Sequence, residues 1–267
     1  MHGKRWISGL ILAPILILFI LYAPFWLFLG LILLLILIGL GEYYALLRPE
    51  ISRQEKWMGF LLGGVFIFFL QPQEPRLLAA GLIFIFFFLS IRALVQKKVF
   101  PLRLEEAGKQ ALGFLYIPFL LAHFIWMHQM ANGRIWILFT LVTVYFGDTA
   151  AFYVGRAWGR KKMAPQLSPG KTIEGGLGAV AGSAAGALFS HFLFLPQLPL
   201  SHALVLGSLG GLIGQLGDLW ESLLKRSAQV KDSGTLIAGH GGLLDRIDSV
   251  LFAGPLVYYY LWSTGLA

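Results

Sequence analysis

Long apolar runs separated by short charged segments recur along the chain, at 6–22, 25–47, 57–70, 77–95, 111–130, 135–155, 173–195, 202–223 and 249–265. A helix needs roughly 20 apolar residues to cross a bilayer core, so the pattern predicts an all-α polytopic membrane protein with about nine transmembrane helices. The third run is short and reads either as a re-entrant segment or as a helix extending upstream of Trp57. The first follows Lys4 and Arg5 in the manner of a signal peptide. No A-x-A cleavage pattern follows it, however, and Pro24 leads directly into the next run, so 6–22 is expected to stay as a helix.

The cations test the count independently, because lysine and arginine accumulate in short cytoplasmic loops. If nine spans alternate, all of the 21 Lys and Arg residues except Arg76 and Arg134 fall on one side. That asymmetry predicts a cytoplasmic N-terminus and an external C-terminus. It also gives the net charge of +8 a membrane explanation, so no nucleic acid is expected as a partner.

Composition narrows the chemistry. With 57% hydrophobic and 13% charged residues and a mean hydropathy of +0.75, the chain is far from a soluble domain, in which about a quarter of residues are charged. The absence of cysteine removes disulfides, thiolate catalysis and cysteine-bound metals. No segment is polar enough for a separate soluble domain. The division expected is 1–110, N-terminal membrane helices of weak functional signal, and 111–267, a catalytic membrane region. In the latter, Gly178, Gly182 and Gly186, and Gly207 and Gly211, have the small-xxx-small spacing of closely packed helices.

Three polar constellations interrupt the apolar pattern. In Gly147 to Gly176, Asp148 lies inside a span, where an ionised group is costly unless paired or hydrated. Arg156, Arg160, Lys161 and Lys162 follow as anchors or anion binders. Ser168, Pro169, Gly170 and Lys171 precede a helix expected near Thr172, with Ser as cap and Pro in the first turn, a combination suited to an anion. It is not a Walker loop, because Pro165 holds the first glycine position. In the second constellation, Asp218, Glu221, Ser222 and Lys225 share one helical face. In the third, Asp245 and Asp248 sit one turn apart with Arg246 between them, after Gly239, His240, Gly241 and Gly242. His240 reads as a metal ligand, a phosphate donor or a turn residue. Carboxylates answer a divalent metal, and Lys225, Arg226, Lys231 and Arg246 answer phosphate.

The run S-x-x-K-R-x-x-x-x-K-D-x-G…H-G-G-x-x-D-R-x-D, from Ser222 to Asp248, resembles the signature of the phosphatidate cytidylyltransferase (CDP-diacylglycerol synthase) family. Gly147 to Gly176 also resembles that family, whereas the N-terminal half does so only in hydropathy. One departure is Ala238, where family members usually carry proline or glycine; alanine leaves that loop less restricted than proline.

The resemblance implies attack of the phosphate of phosphatidic acid on the α-phosphorus of CTP, giving CDP-diacylglycerol and pyrophosphate. It further implies Mg2+ with a second cation such as K+, a homodimer, and a site on the cytoplasmic face of the cytoplasmic membrane. On this reading Asp218 and Asp245 lead as metal ligands, Asp148 and Asp248 support them, and Lys171, Lys225, Arg226, Lys231, Arg246, His240 and Ser222 hold substrate. Asp218, Asp245, Lys171 and Asp148 are the catalytic candidates. Two alternatives stand at this point: a CTP-dependent polyprenol-type lipid kinase, and a cation-coupled transporter using Glu42, Asp148, Asp218 and Glu221 as its path.

Overall fold

A computed structural model describes residues 13–47, 51–69, 75–96, 99–234 and 241–266. The chain is nearly all helical. Helix α1 covers Ala13–Tyr22, followed by α2 (Phe25–Leu47), α3 (Arg53–Phe69), α4 (Pro75–Val95) and α5 (Phe100–Phe114). A π-helical turn, Leu115–Phe119, joins α5 to α6 (Leu120–Gln129) without a break. Pro118 lies inside that turn. It has no N–H to donate and its ring crowds the preceding carbonyls, so the helix widens locally rather than ending. Then come α7 (Gly133–Trp158), strands β1 (Lys162–Ala164) and β2 (Ser168–Thr172), α8 (Ile173–Leu193), α9 (Leu200–Ser227) and α10 (Leu244–Thr264).

Among the described residues six helices are long and apolar enough to cross a membrane: α2, α4, the continuous α5 to α6 unit, α7, α8 and α9. Of the other expected spans, α3 is helical for 17 residues and does begin upstream of Trp57, at Arg53. Helix α10 is 21 residues long but opens on Asp245, Arg246 and Asp248. Large apolar side chains stand exposed on α4 (Phe84, Phe86, Phe87, Ile91) and α8 (Phe192, Leu193), as lipid contact requires.

The small-residue spacing acts as close packing. A methyl group on Gly178 would meet Val154 Cβ at 2.7 Å, and one on Gly182 would meet Ala150 Cβ at 2.4 Å, so α8 lies directly on α7. On α9, Gly207 faces Ala187 and Gly211 faces Ser183. Helix α10 closes on α9 at Gly217, where a Cβ would fall 2.5 Å from the Asp248 carbonyl oxygen. Tight seams without side chains leave little room for sliding, which fixes the polar residues carried at the helix ends.

The hairpin departs from the sequence expectation. Ser168 to Thr172 form a strand, antiparallel to β1 with Lys162 opposite Thr172 and Ala164 opposite Ser168. Pro169 therefore sits in a strand, and the cap of α8 is Thr172, whose Oγ1 accepts from Gly175 N at 3.0 Å. The Ile173 amide goes to the Lys161 carbonyl at 2.9 Å. The open helix N-terminus expected as an anion site is thus partly closed by its own backbone.

Candidate active site

A cavity of about 620 Å³ opens between α7, the hairpin, α8, α9 and α10. Asp218, Glu221 and Lys225 line it from α9 and Asp245 and Asp248 from α10, as their spacings predicted; Asp148 enters from α7 and Lys171 from β2. The Asp148 position is about three turns inside the C-terminal end of α7, deeper than its apolar run implied.

Two lysines organise the acids. Lys225 Nζ lies 2.8 Å from Glu221 Oε2, one turn earlier on α9, and 2.6 Å from Asp245 Oδ1 on α10. It therefore ties the two helices together across the site. Lys171 Nζ reaches Asp218 Oδ2 at 2.6 Å from the hairpin, and among the described residues no other acceptor is hydrogen-bonded to it. The far oxygen of Asp245 is saturated: Oδ2 accepts from Gly242 N at 2.8 Å, Ser233 N at 2.9 Å and Ser233 Oγ at 3.0 Å. Gly241 beside it has a φ of +82°, a left-handed conformation open to glycine at little cost.

Not every expected residue arrives. Ser222 is buried in α9 away from the cavity lining, and Lys231 and Arg246 are exposed outside it. Arg226 turns away: Nε donates to the Leu167 carbonyl at 3.0 Å and Nη1 to the Val230 carbonyl at 3.1 Å, pinning the hairpin turn to the end of α9. In this structure its guanidinium serves a bracing role. His240 and Ala238 lie outside the described residues.

Four polar residues were given no such role by the sequence reading. Glu42 on α2 accepts from Leu243 N (Oε1, 2.8 Å) and Leu244 N (Oε2, 2.9 Å), and the Ser233 hydroxyl lies 2.9 Å from Oε2, its one proton serving either this oxygen or Asp245 Oδ2. Its one signal was an acid within an apolar run. Ser233 joins the Glu42 and Asp245 carboxylates, though nothing but its place in the signature marked it. Glu174 accepts the Arg160 amide at 3.0 Å and the Lys161 amide at 3.2 Å, fixing the entry to β1. Gln215 Nε2 bridges the carbonyls of Gly176 at 2.9 Å and Gly211 at 3.2 Å across the α8 to α9 wall.

Five carboxyl side chains (Asp148, Asp218, Glu221, Asp245, Asp248) face three cations (Arg156, Lys171, Lys225) around this cavity. Glu221 Oε1 is buried with no hydrogen-bond partner, and Glu221 and Asp248 lie side by side. Such a surplus of acid is costly unless further positive charge is supplied or neighbouring carboxyls keep a proton. No three acidic or histidine side chains among the described residues form a ready metal cage. Magnesium does not require one, since it is commonly held by one or two carboxylates with waters and phosphate oxygens. The donor set fits such an ion.

Comparison with known proteins points the same way. A family model described as the cytidylyltransferase family matches residues 3–264. The chain is 36% identical over 208 residues to a phosphatidate cytidylyltransferase of Bacillus subtilis, covering 77% of this chain and 75% of that one. It is 42% identical over 139 residues to a protein of that name from Synechocystis, and 39% identical over 137 residues to one from Haemophilus influenzae. Those two matches take in 51% and 50% of this chain and 47% and 48% of the relatives. A family match running from before α1 to the end of α10, joined to a membrane cavity of carboxylates and lysines, leaves one assignment: the chain belongs to the cytidylyltransferase family.

Proposed function

We propose that this protein condenses CTP with phosphatidic acid to give CDP-diacylglycerol and pyrophosphate within a membrane. The observation that carries the reading is one cavity in which Lys225 is bound to Asp245 of the signature run and Lys171 to Asp218 just upstream of it. A transport path would distribute its acids toward the midplane of the membrane. Here Glu221, Asp245 and Asp248 gather with Lys225 toward the ends of α9 and α10, beside a hairpin, while Asp148 lies deeper in α7.

The chemistry needs little acid–base help. A phosphomonoester has a second pKa of about 6 and is largely dianionic at neutral pH, so its oxygen attacks without a residue to deprotonate it. The new bond forms between that oxygen and the α-phosphorus of CTP; the bond from the α-phosphorus to the bridging oxygen breaks, and the electron pair leaves with pyrophosphate. The obstacle is repulsion between two anions, and the residues address it by positioning and charge. In this reading Lys171 moves from Asp218 to a phosphate oxygen, and Lys225 stays between Glu221 and Asp245 to keep α9 and α10 in register. Asp218 and Asp245 are the leading metal ligands, with Asp148 and Asp248 as supporting ligands or orienters. Bound there, Mg2+, with a second cation such as K+, neutralises and aligns the triphosphate.

The finer topology belongs to the same proposal. Helices α1, α3 and α10 also cross, giving nine spans with the N-terminus inside. The cavity then faces the cytoplasm, where CTP is, in the cytoplasmic membrane. Residues 1–110 form a membrane scaffold and 111–267 the catalytic region, and the family resemblance adds a homodimer.

The test is an assay of purified protein with labelled CTP and phosphatidic acid vesicles, with Mg2+ and with chelator. CDP-diacylglycerol and pyrophosphate are expected in equal amounts, dependent on Mg2+. Asp218→Asn should lose at least about a hundredfold in rate while still inserting and purifying. Release of CDP and a phosphorylated lipid instead would identify a kinase, and full turnover by the Asn variant would remove Asp218 from the site.

A further inference from the structure

We infer that Glu42, on a helix outside the catalytic region, is a positioning residue that sets the Asp245 carboxylate from the far side of the signature loop. Its two oxygens take the Leu243 and Leu244 amides at 2.8 and 2.9 Å, at the N-terminus of α10. The next amide back, Gly242 N, goes to Asp245 itself. Three successive amides that would otherwise attract an anion are thus taken by two carboxylates of the protein. The start of α10 is therefore a structural anion site filled in trans, and the nucleotide's phosphates must bind elsewhere in the cavity.

The link to Asp245 runs through Ser233. Its hydroxyl lies 2.9 Å from Glu42 Oε2 and 3.0 Å from Asp245 Oδ2, and its amide donates to Asp245. Ser233 and Leu243, ten positions apart, are drawn to the same Glu42 carboxylate. The glycines around it leave it room: a Cβ on Gly242 would fall 2.1 Å from Ser233 Oγ and 2.5 Å from Glu42 Oε2, and one on Gly234 would fall 2.7 Å from Glu42 Oε1. With Oδ2 held this way, Asp245 presents Oδ1 to Lys225 and to the cavity. An ionised side chain in an apolar helix is costly, and two backbone amides, with the Ser233 hydroxyl shared with Asp245, offset that cost while fixing the Glu42 geometry.

In Glu42→Gln an NH2 group must face one of the two amides, so one hydrogen bond is replaced by a donor-to-donor contact. The shorter Glu42→Asp cannot span both amides. The experiment has two readouts. Hydrogen exchange of the Gly241 to Arg246 peptide reports the clamp without any turnover, and is expected to speed up at least tenfold in Glu42→Gln and less in Ser233→Ala. The Mg2+ concentration for half-maximal CDP-diacylglycerol formation is expected to rise at least fivefold in Glu42→Gln; this quantity does not depend on the fraction of folded enzyme. It rests on the proposed reaction, whereas the exchange measurement does not, so failure of the reaction and failure of the clamp are distinguishable. Unchanged exchange in Glu42→Gln overturns the inference, as does unchanged exchange in Ser233→Ala should the Gln variant not fold.

Discussion

Lys171 and Lys225 face the same cavity under different conditions. Lys225 is 14% exposed and lies between Glu221, fully buried, and Asp245, 10% exposed, with its stem on a long helix packed on both sides. Lys171 is 24% exposed, sits on a two-stranded hairpin and touches one carboxylate that is itself 36% exposed. Removing one partner from the Lys225 cluster leaves an uncompensated buried charge, whereas the Lys171 ammonium, though itself buried, is opposed by a carboxylate that water still reaches. One ammonium joins two helices through two carboxylates, and the other has a single carboxylate partner and sits on a hairpin. A single charge count of the cavity would hide this division of labour.

The comparison can be broken most directly at its buried end. Lys225→Met should destabilise the protein by roughly 3 to 5 kcal/mol and abolish turnover, because Glu221 and Asp245 are left facing each other. Thermal unfolding of the detergent-solubilised protein checks it, and an unchanged midpoint would show that the triad is not structural. Next in size, Lys171→Met should cost about 10² to 10³ in kcat/KM while changing stability by no more than about 1 kcal/mol. A midpoint falling as far as in Lys225→Met would erase the distinction. The smallest effect is expected for Arg226→Gln, which frees the hairpin turn from α9. Losing two bonds to carbonyls at an exposed site should raise KM for CTP by less than about tenfold. A loss matching that of Lys171→Met would return Arg226 to the phosphate site.

Much of this site could be read from spacing alone. Asp218, Glu221 and Lys225 recur at helical steps, Asp245 and Asp248 are one turn apart, and Gly178, Gly182 and Gly186 mark a seam; in each case the period carries the geometry. The hairpin was hidden because KMAPQLSPGKT shows no alternation of apolar and polar residues. What holds it comes from elsewhere: Glu174 at its entry and Arg226 at its turn. Cations are ambiguous in sequence for a related reason. The same guanidinium that suits a phosphate also suits a carbonyl, and only placement tells them apart, as Arg226 shows. Glu42 was legible only as an acid in an apolar run and a candidate on a transport path, because an isolated acid has no pattern and its partners lie some two hundred positions along the chain.

That separation has a consequence for how the protein is made. Glu42 leaves the ribosome with α2, and its partner amide at Leu244 follows 202 residues later. At about 5 to 20 residues per second, that is an interval on the order of 10 to 40 s during which the carboxylate has none of its α10 donors. The signature loop is synthesised long after α2, so the active site cannot close before α10 begins to dock. Catalytic competence then waits on α10, and a chain truncated before it is expected to insert its earlier helices while leaving the Glu42 carboxylate without the Leu243 and Leu244 amides.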